Sequence, residues 1–156
     1  MASLLGLTST YSSNWSYYTI PAAWALCMLP NTYAAMLAGK NFDNANPRKI
    51  EEKCAKDKSL DKVTLRRISR ARAATANGYE TLGLYAAAVV AGNAARVPGE
   101  QMTRLTLAYL ASRAVYNYVY VVLQDNARMA PVRSLVWVSG IGIIMSMFVM
   151  AGQALS

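Results

Sequence analysis

No charged residue occurs in residues 1–39, and none occurs in residues 134–156. A soluble fold of this length does not ordinarily carry two such arms, because each helix or strand shows a polar side to water. Between the arms, residues 40–72 hold 11 basic and 5 acidic side chains, which is +6 of the chain's net +8. A nucleic-acid-binding domain can carry a basic block, but not between flanks this apolar. A nucleic-acid partner is therefore not expected. The pattern fits an all-α integral membrane protein with one long basic loop.

Four apolar spans follow, at about 17–38, 73–95, 105–123 and 135–155. A membrane helix needs about 20 mostly apolar residues, and each span comes within a few residues of that. Strands fit poorly, because the runs are long and lack period-two alternation. Pro21 and Pro30 are expected to start or kink the first helix. The first loop, about 39–61, is long and charged, with a turn at Asn44-Ala-Asn-Pro47. Residues 60–72 can already extend the second helix. The second loop, Arg96-Val-Pro-Gly-Glu100, and the third, residues 124–131, are short. Short loops predict an antiparallel four-transmembrane-helix bundle in a single domain, 1–156.

The Lys/Arg asymmetry puts loops one and three in the cytosol and both termini on the opposite side. The basic loop can also sit against anionic lipid headgroups. The start of the chain lacks the basic n-region of a cleavable leader. Histidine is absent, which removes Ser-His-Asp triads, Cys-His dyads and His-based zinc sites. Cys27 and Cys54 are too few for a disulfide framework, and no metal site is expected.

Polar groups inside membrane spans are costly and usually face a bundle interior. In the second span, helical spacing puts Arg70, Asn77 and Glu80 on one face. Glu80 needs a partner, and Arg113 of the third span is the expected one. Arg113, Tyr116 and Tyr120 share a stripe of their own at i, i+3 and i+7. A forked guanidinium beside phenols suits a carboxylate or another anion. In Arg128-Met-Ala-Pro131-Val-Arg133-Ser134, Pro131 fits the first turn of the last helix. That helix start, with two guanidiniums, favours anions and can stabilise a thiolate. Plainer readings stand beside these: a structural Glu–Arg pair, tyrosine packing, and arginines serving as positive-inside anchors.

At these residues the chain resembles the MAPEG superfamily, the membrane-associated proteins in eicosanoid and glutathione metabolism. Arg113-x-x-Tyr116-x-x-x-Tyr120 is similar to the third-helix glutathione stripe, and Asn77-x-x-Glu80 to the second-helix motif. Ala130-Pro131-Val-Arg133-Ser134 resembles a segment of the prostaglandin E-forming synthases. Arg128-Met-Ala-Pro131 resembles one of the leukotriene C-forming synthases. The resemblance implies a homotrimer in the endoplasmic reticulum or a related membrane, with glutathione bound between subunits near the cytosolic face. Arg113, Tyr116, Tyr120, Asn77 and Glu80 would hold glutathione, with Arg70, Arg133 and, more weakly, Lys40 as further candidate contacts. Arg128 would stabilise the thiolate, with Ser134 as an alternative thiol partner. The family's usual Arg four residues before the Asn is Ala73 here, so that contact is missing or rerouted.

The expected function is a glutathione-dependent membrane enzyme acting on a lipophilic substrate by conjugation, isomerisation or peroxide reduction. Two other readings share the scaffold. One is a glutathione-independent isomerase or cyclase using Glu80, Tyr116 or Arg113 as acid–base groups. The other is a non-catalytic lipid-binding scaffold. An unrelated channel or transporter would need a polar path through the bundle.

Overall fold

The computed structural model describes residues 14–156, so the reading of the extreme N-terminus as lacking a leader falls almost wholly outside the described residues. Five α-helices form: α1 Thr19–Ala38, α2 Ile50–Lys56, α3 Lys62–Ala94, α4 Gly99–Val121 and α5 Ala130–Leu155. No strand occurs among the described residues. Two helical stretches, Ser16–Asn41 and Ala127–Leu155, are long and apolar enough to cross a membrane.

The helices differ from the sequence reading in two places. The first loop is not all loop, because α2 occupies its middle. Its seven residues bury Ile50 and Cys54 against Ile68 and Ala71 of α3, while a Glu52–Lys56 ion pair supports the outer face. The third long helix begins at Gly99 rather than near residue 105. An ion pair between Glu100 and Arg104, one turn apart, steadies that extra polar turn. The helical extension ahead of the second span is real and starts at Lys62. Asp61 caps it by accepting from the amides of Val63 and Thr64 at 2.7 and 2.9 Å.

Successive long helices run antiparallel, as cross-helix pairs show. Thr19 meets Tyr85 while Asn31 meets Arg72. Thr81 meets Tyr109 while Asn77 meets Tyr116. Tyr120 meets Arg133 while Arg113 meets the Trp137 carbonyl. Small residues allow close packing: Ala71, Ala74 and Ala88 of α3 are fully buried. A Cβ on Gly78 would lie 2.8 Å from the Cys27 sulfur, so α1 and α3 could not approach as they do with Ala there. Pro30 lies inside α1 and takes an amide donor from the Leu26 carbonyl. Asn117 of α4 replaces that donor, its Nδ2 giving a 2.9 Å bond to the Leu26 oxygen.

The two ends of the molecule are closed differently. At one end, Asn14, Ser16 and Asn93 form a hydrogen-bonded ring, and Thr19 links the Ser16 carbonyl to the Tyr85 hydroxyl. Tyr85 stacks on Tyr109 at 4.0 Å, and Tyr109 bonds Thr81 at 3.1 Å. At the other end, Asp125, in the short connection between α4 and α5, is gripped by both Arg67 and Arg70 of α3. Arg70 also donates to the carbonyls of Val121 and Gln124 at 3.1 and 3.3 Å.

The turn from α3 to α4 carries an uncommon residue. Arg96 has φ +60°, and the amides of Arg96 and Val97 bond back to the carbonyls of Asn93 and Gly92. This is a Schellman closure with Arg where Gly is usual. Left-handed backbone costs a non-glycine residue about 1–2 kcal/mol. Arg96→Gly is therefore expected to stabilise the protein by about 1 kcal/mol, seen as a raised thermal midpoint in detergent. Asp125 has its carboxyl held below the usual carboxylate range, chiefly by hydrogen bonding to Arg67 and then Arg70. The stability this contributes is full above the unfolded carboxyl's pKa and is lost as pH falls through the lower folded value. Melting temperature is expected to drop between about pH 4 and more acidic solution, and Asp125→Asn removes that part of the drop.

Candidate functional site

Three helices bring the predicted residues toward one place. α3 supplies Asn77 and Glu80, one turn apart, α4 supplies Tyr116, and α5 supplies Arg133, Ser134 and Trp137. With Val138 they line a cavity of about 430 Å³. Asn77 donates to the Tyr116 hydroxyl at 2.7 Å. That uses an acceptor position of the phenol and leaves its proton free to point elsewhere. Arg133 lies over the Tyr120 ring, 4.8 Å from its centroid, and Tyr120 in turn packs against Tyr116 at 5.7 Å. The Ser134 hydroxyl is exposed and bonds back to the Ala130 carbonyl at 3.3 Å.

The lining is chemically lopsided. Arg133, Ser134, Tyr116 and Asn77 can all donate, whereas Glu80 is the single carboxylate. A ligand with several acceptors and one cationic group matches this set. The apolar side is given by Trp137 and Val138 of α5, which is one of the two membrane-competent helices.

Arg113 stands behind this wall rather than in it. Its residue is 4% exposed, and its guanidinium sits 5.4 Å from the Tyr109 ring centroid and 5.0 Å from that of Tyr116. Nη2 reaches only the Val136 and Trp137 carbonyls, at 3.4 and 3.5 Å. Nε and Nη1 are buried without a partner among the described residues. The expected ion pair with Glu80 does not form: Glu80 is exposed and makes no ion pair among the described residues. A carboxylate at the rim keeps its hydration, and withdrawing it to Arg113 would cost several kcal/mol. The two rings beside Arg113 offer about 0.5–2 kcal/mol each instead.

Other predicted residues lie elsewhere. Arg70 shares the α3 face with Asn77, but Asp125 and two carbonyls take its guanidinium. Lys40 pairs with Asp57 at 3.5 Å in the first connection. Arg128 is exposed in the turn Ala127–Met129 before α5 and does not line the cavity. Cys27 and Cys54 are both free and buried, and burial pushes the Cys54 thiol up, which disfavours it as a nucleophile. Two contributors escaped the sequence reading. Trp137 follows Arg133 by one helical turn, and Tyr109 precedes Arg113 by one. Both spacings were available as signals.

Gly140 lets Arg113 cross to α5, because a Cβ there would collide with Nη2 and crowd Cζ at 3.0 Å. Gly140→Ala is expected to destabilise the protein by about 1–3 kcal/mol despite the better helix propensity of Ala. Thermal unfolding in detergent checks this, with Gly142→Ala as the control, since nothing lies within 4 Å of that position.

Comparison with known proteins gives one match. The model of the MAPEG family fits residues 15–153. No curated protein and no solved structure matches the chain. The family match and the two apolar helices together identify an all-α membrane protein.

Proposed function

The chain belongs to the MAPEG family, and from that premise we propose that it is a glutathione-dependent enzyme acting on a lipophilic substrate. It would work as a homotrimer of four-span subunits in the endoplasmic reticulum or a related membrane. Its family includes glutathione-dependent transferases and isomerases. The observation that carries the reading is the donor-rich cavity with Glu80 as its single carboxylate and Arg133 among its donors. Glutathione has two carboxylates, one ammonium and a thiol. The ammonium suits Glu80, and the carboxylates suit the guanidinium, amide and hydroxyl donors. The orphaned Nε and Nη1 of Arg113 add positive potential behind the wall.

Glutathione, when bound, supplies a thiol that attacks as its thiolate. The chain's residues supply the rest. Arg133, fixed over Tyr120, gives a forked donor and a positive field at the cavity. Ser134 can turn its hydroxyl from Ala130 toward a developing anion. Tyr116 accepts from Asn77, which leaves its own hydroxyl proton available to a ligand. Trp137 and Val138 form the apolar side by which a lipophile arriving through the bilayer would meet the polar groups. Arg133 and Ser134 are therefore preferred over Arg128 for thiolate stabilisation. Conjugation, isomerisation and peroxide reduction would all use this arrangement. The net charge of loops one and three supports a cytosolic cavity mouth.

One observation favours a second reading. Ala73 stands in place of the family Arg, and Arg70, the nearest substitute on that face, is committed to Asp125. On this reading the scaffold serves a glutathione-independent isomerase or cyclase, with Glu80 and Tyr116 as the proton-transfer pair.

Thermal unfolding of detergent-purified protein separates the two. The first reading expects millimolar glutathione to raise the midpoint. Arg133→Ala and Glu80→Gln are each expected to weaken that effect by roughly tenfold or more in apparent affinity. No stabilisation at millimolar glutathione would overturn it, and turnover without glutathione that Glu80→Gln abolishes would establish the second.

A further inference from the structure

A second cavity, of about 300 Å³, shares no lining residue with the first. It lies along the seam of α1 and α4, where Leu26, Leu29 and Tyr33 face Ala114, Tyr118 and Val122. Leu29 and Tyr118 on its rims are each 58% exposed, so the seam opens to the outside of the helices. Its walls are apolar, and their one broken backbone position is already mended. The Leu26 carbonyl, deprived of a donor by Pro30, takes the Asn117 amide. Such a surface needs no water and suits hydrocarbon.

One end of the seam is different. Arg70 bonds the carbonyl of Val121, itself a lining residue. Arg70 and Arg67 share the single carboxylate of Asp125, which leaves that trio with a net charge of +1. Arg67 is one-third exposed and interacts with Tyr33 of the seam, while Arg70 keeps a buried Nε without a partner. A dry apolar seam that ends on one uncompensated positive charge matches an amphiphile with one negative charge at its head.

We propose that the α1–α4 seam binds an anionic phospholipid, with one acyl chain between the two helices and the phosphate at Arg67 and the Tyr33 hydroxyl. One phosphate charge neutralises the two guanidiniums that Asp125 balances only half-way. A free anion would leave the seam unused. A second copy of this chain would bring its own positive excess to an end already positive. The site is independent of glutathione, so the enzyme reading can fail without affecting it.

The test is native mass spectrometry of the delipidated full chain in detergent, with phosphatidylglycerol or phosphatidylcholine of the same acyl chains. The wild type is expected to retain phosphatidylglycerol about fivefold better, the worth of one basic side chain near an anionic headgroup. Arg67→Gln leaves Arg70 and Asp125 as a balanced pair and brings the two lipids to parity. Ala114→Phe, at an exposed position of α4, fills the seam and lowers retention of both. Equal retention of the two lipids by the wild type would overturn the proposal. So would unchanged retention in Ala114→Phe, or equal stabilisation by inorganic phosphate. A changed subunit count in Ala114→Phe with lipid retention intact would also overturn it and assign the seam to a second copy.

Discussion

Arg113 carries a full charge into the seam between α4 and α5 and finds two aromatic faces and two distant carbonyls there, but no carboxylate among the described residues. Burying a guanidinium this way costs several kcal/mol before any return. The surroundings are built around that cost. Gly140 opens the crossing to α5, Tyr109 and Tyr116 close over either side, and Asn77 holds Tyr116 from α3. The wall of the 430 Å³ cavity is thus the outer skin of a cation-centred stack. Remove the cation and the tyrosines lose the object that spaces them. Keep it, and the cavity behind Tyr116 has a permanent positive background.

The long helices and the stripe were legible in the sequence because both are one-dimensional facts. Uncharged arms read as helices from length alone, and Arg113, Tyr116 and Tyr120 share a face by helical period. What each face meets is not one-dimensional. The expected Glu80–Arg113 pair failed because two rings flank the guanidinium and Glu80 stays at the wetter rim. Arg70 was rightly set on the face of Asn77, yet it turned to Asp125, a lone acid in a short loop whose position no periodicity reveals. The helix α2 was read as loop because seven residues, four of them charged, show little apolar stripe. Its two buried side chains matter only once α3 is there to receive them.

Compensation between helices recurs. Pro30 in α1 is affordable because α4 carries Asn117 opposite the orphaned carbonyl. Gly78 accepts Cys27, and Gly140 accepts Arg113. In an apolar surrounding a missing donor or an ill-fitting Cβ has no water to fall back on. Each local defect is met by a specific residue on another helix, so substitutions at Asn117 or Gly78 act on the packing of two helices at once.

The contrast between the two closed ends has a consequence for how the fold gives way. The end bearing Asn14, Asn93, Thr19 and Tyr85 is held by neutral hydrogen bonds, whose strength hardly depends on ions in solution. The end bearing Asp125 is held by charges that are partly exposed, and dissolved salt screens such contacts. The Asp125 end is thus the more salt-sensitive of the two, since at the other only the Glu100–Arg104 pair within α4 depends on charge. Rising ionic strength therefore loosens the connection between α4 and α5 first, while the opposite end keeps the helices in register.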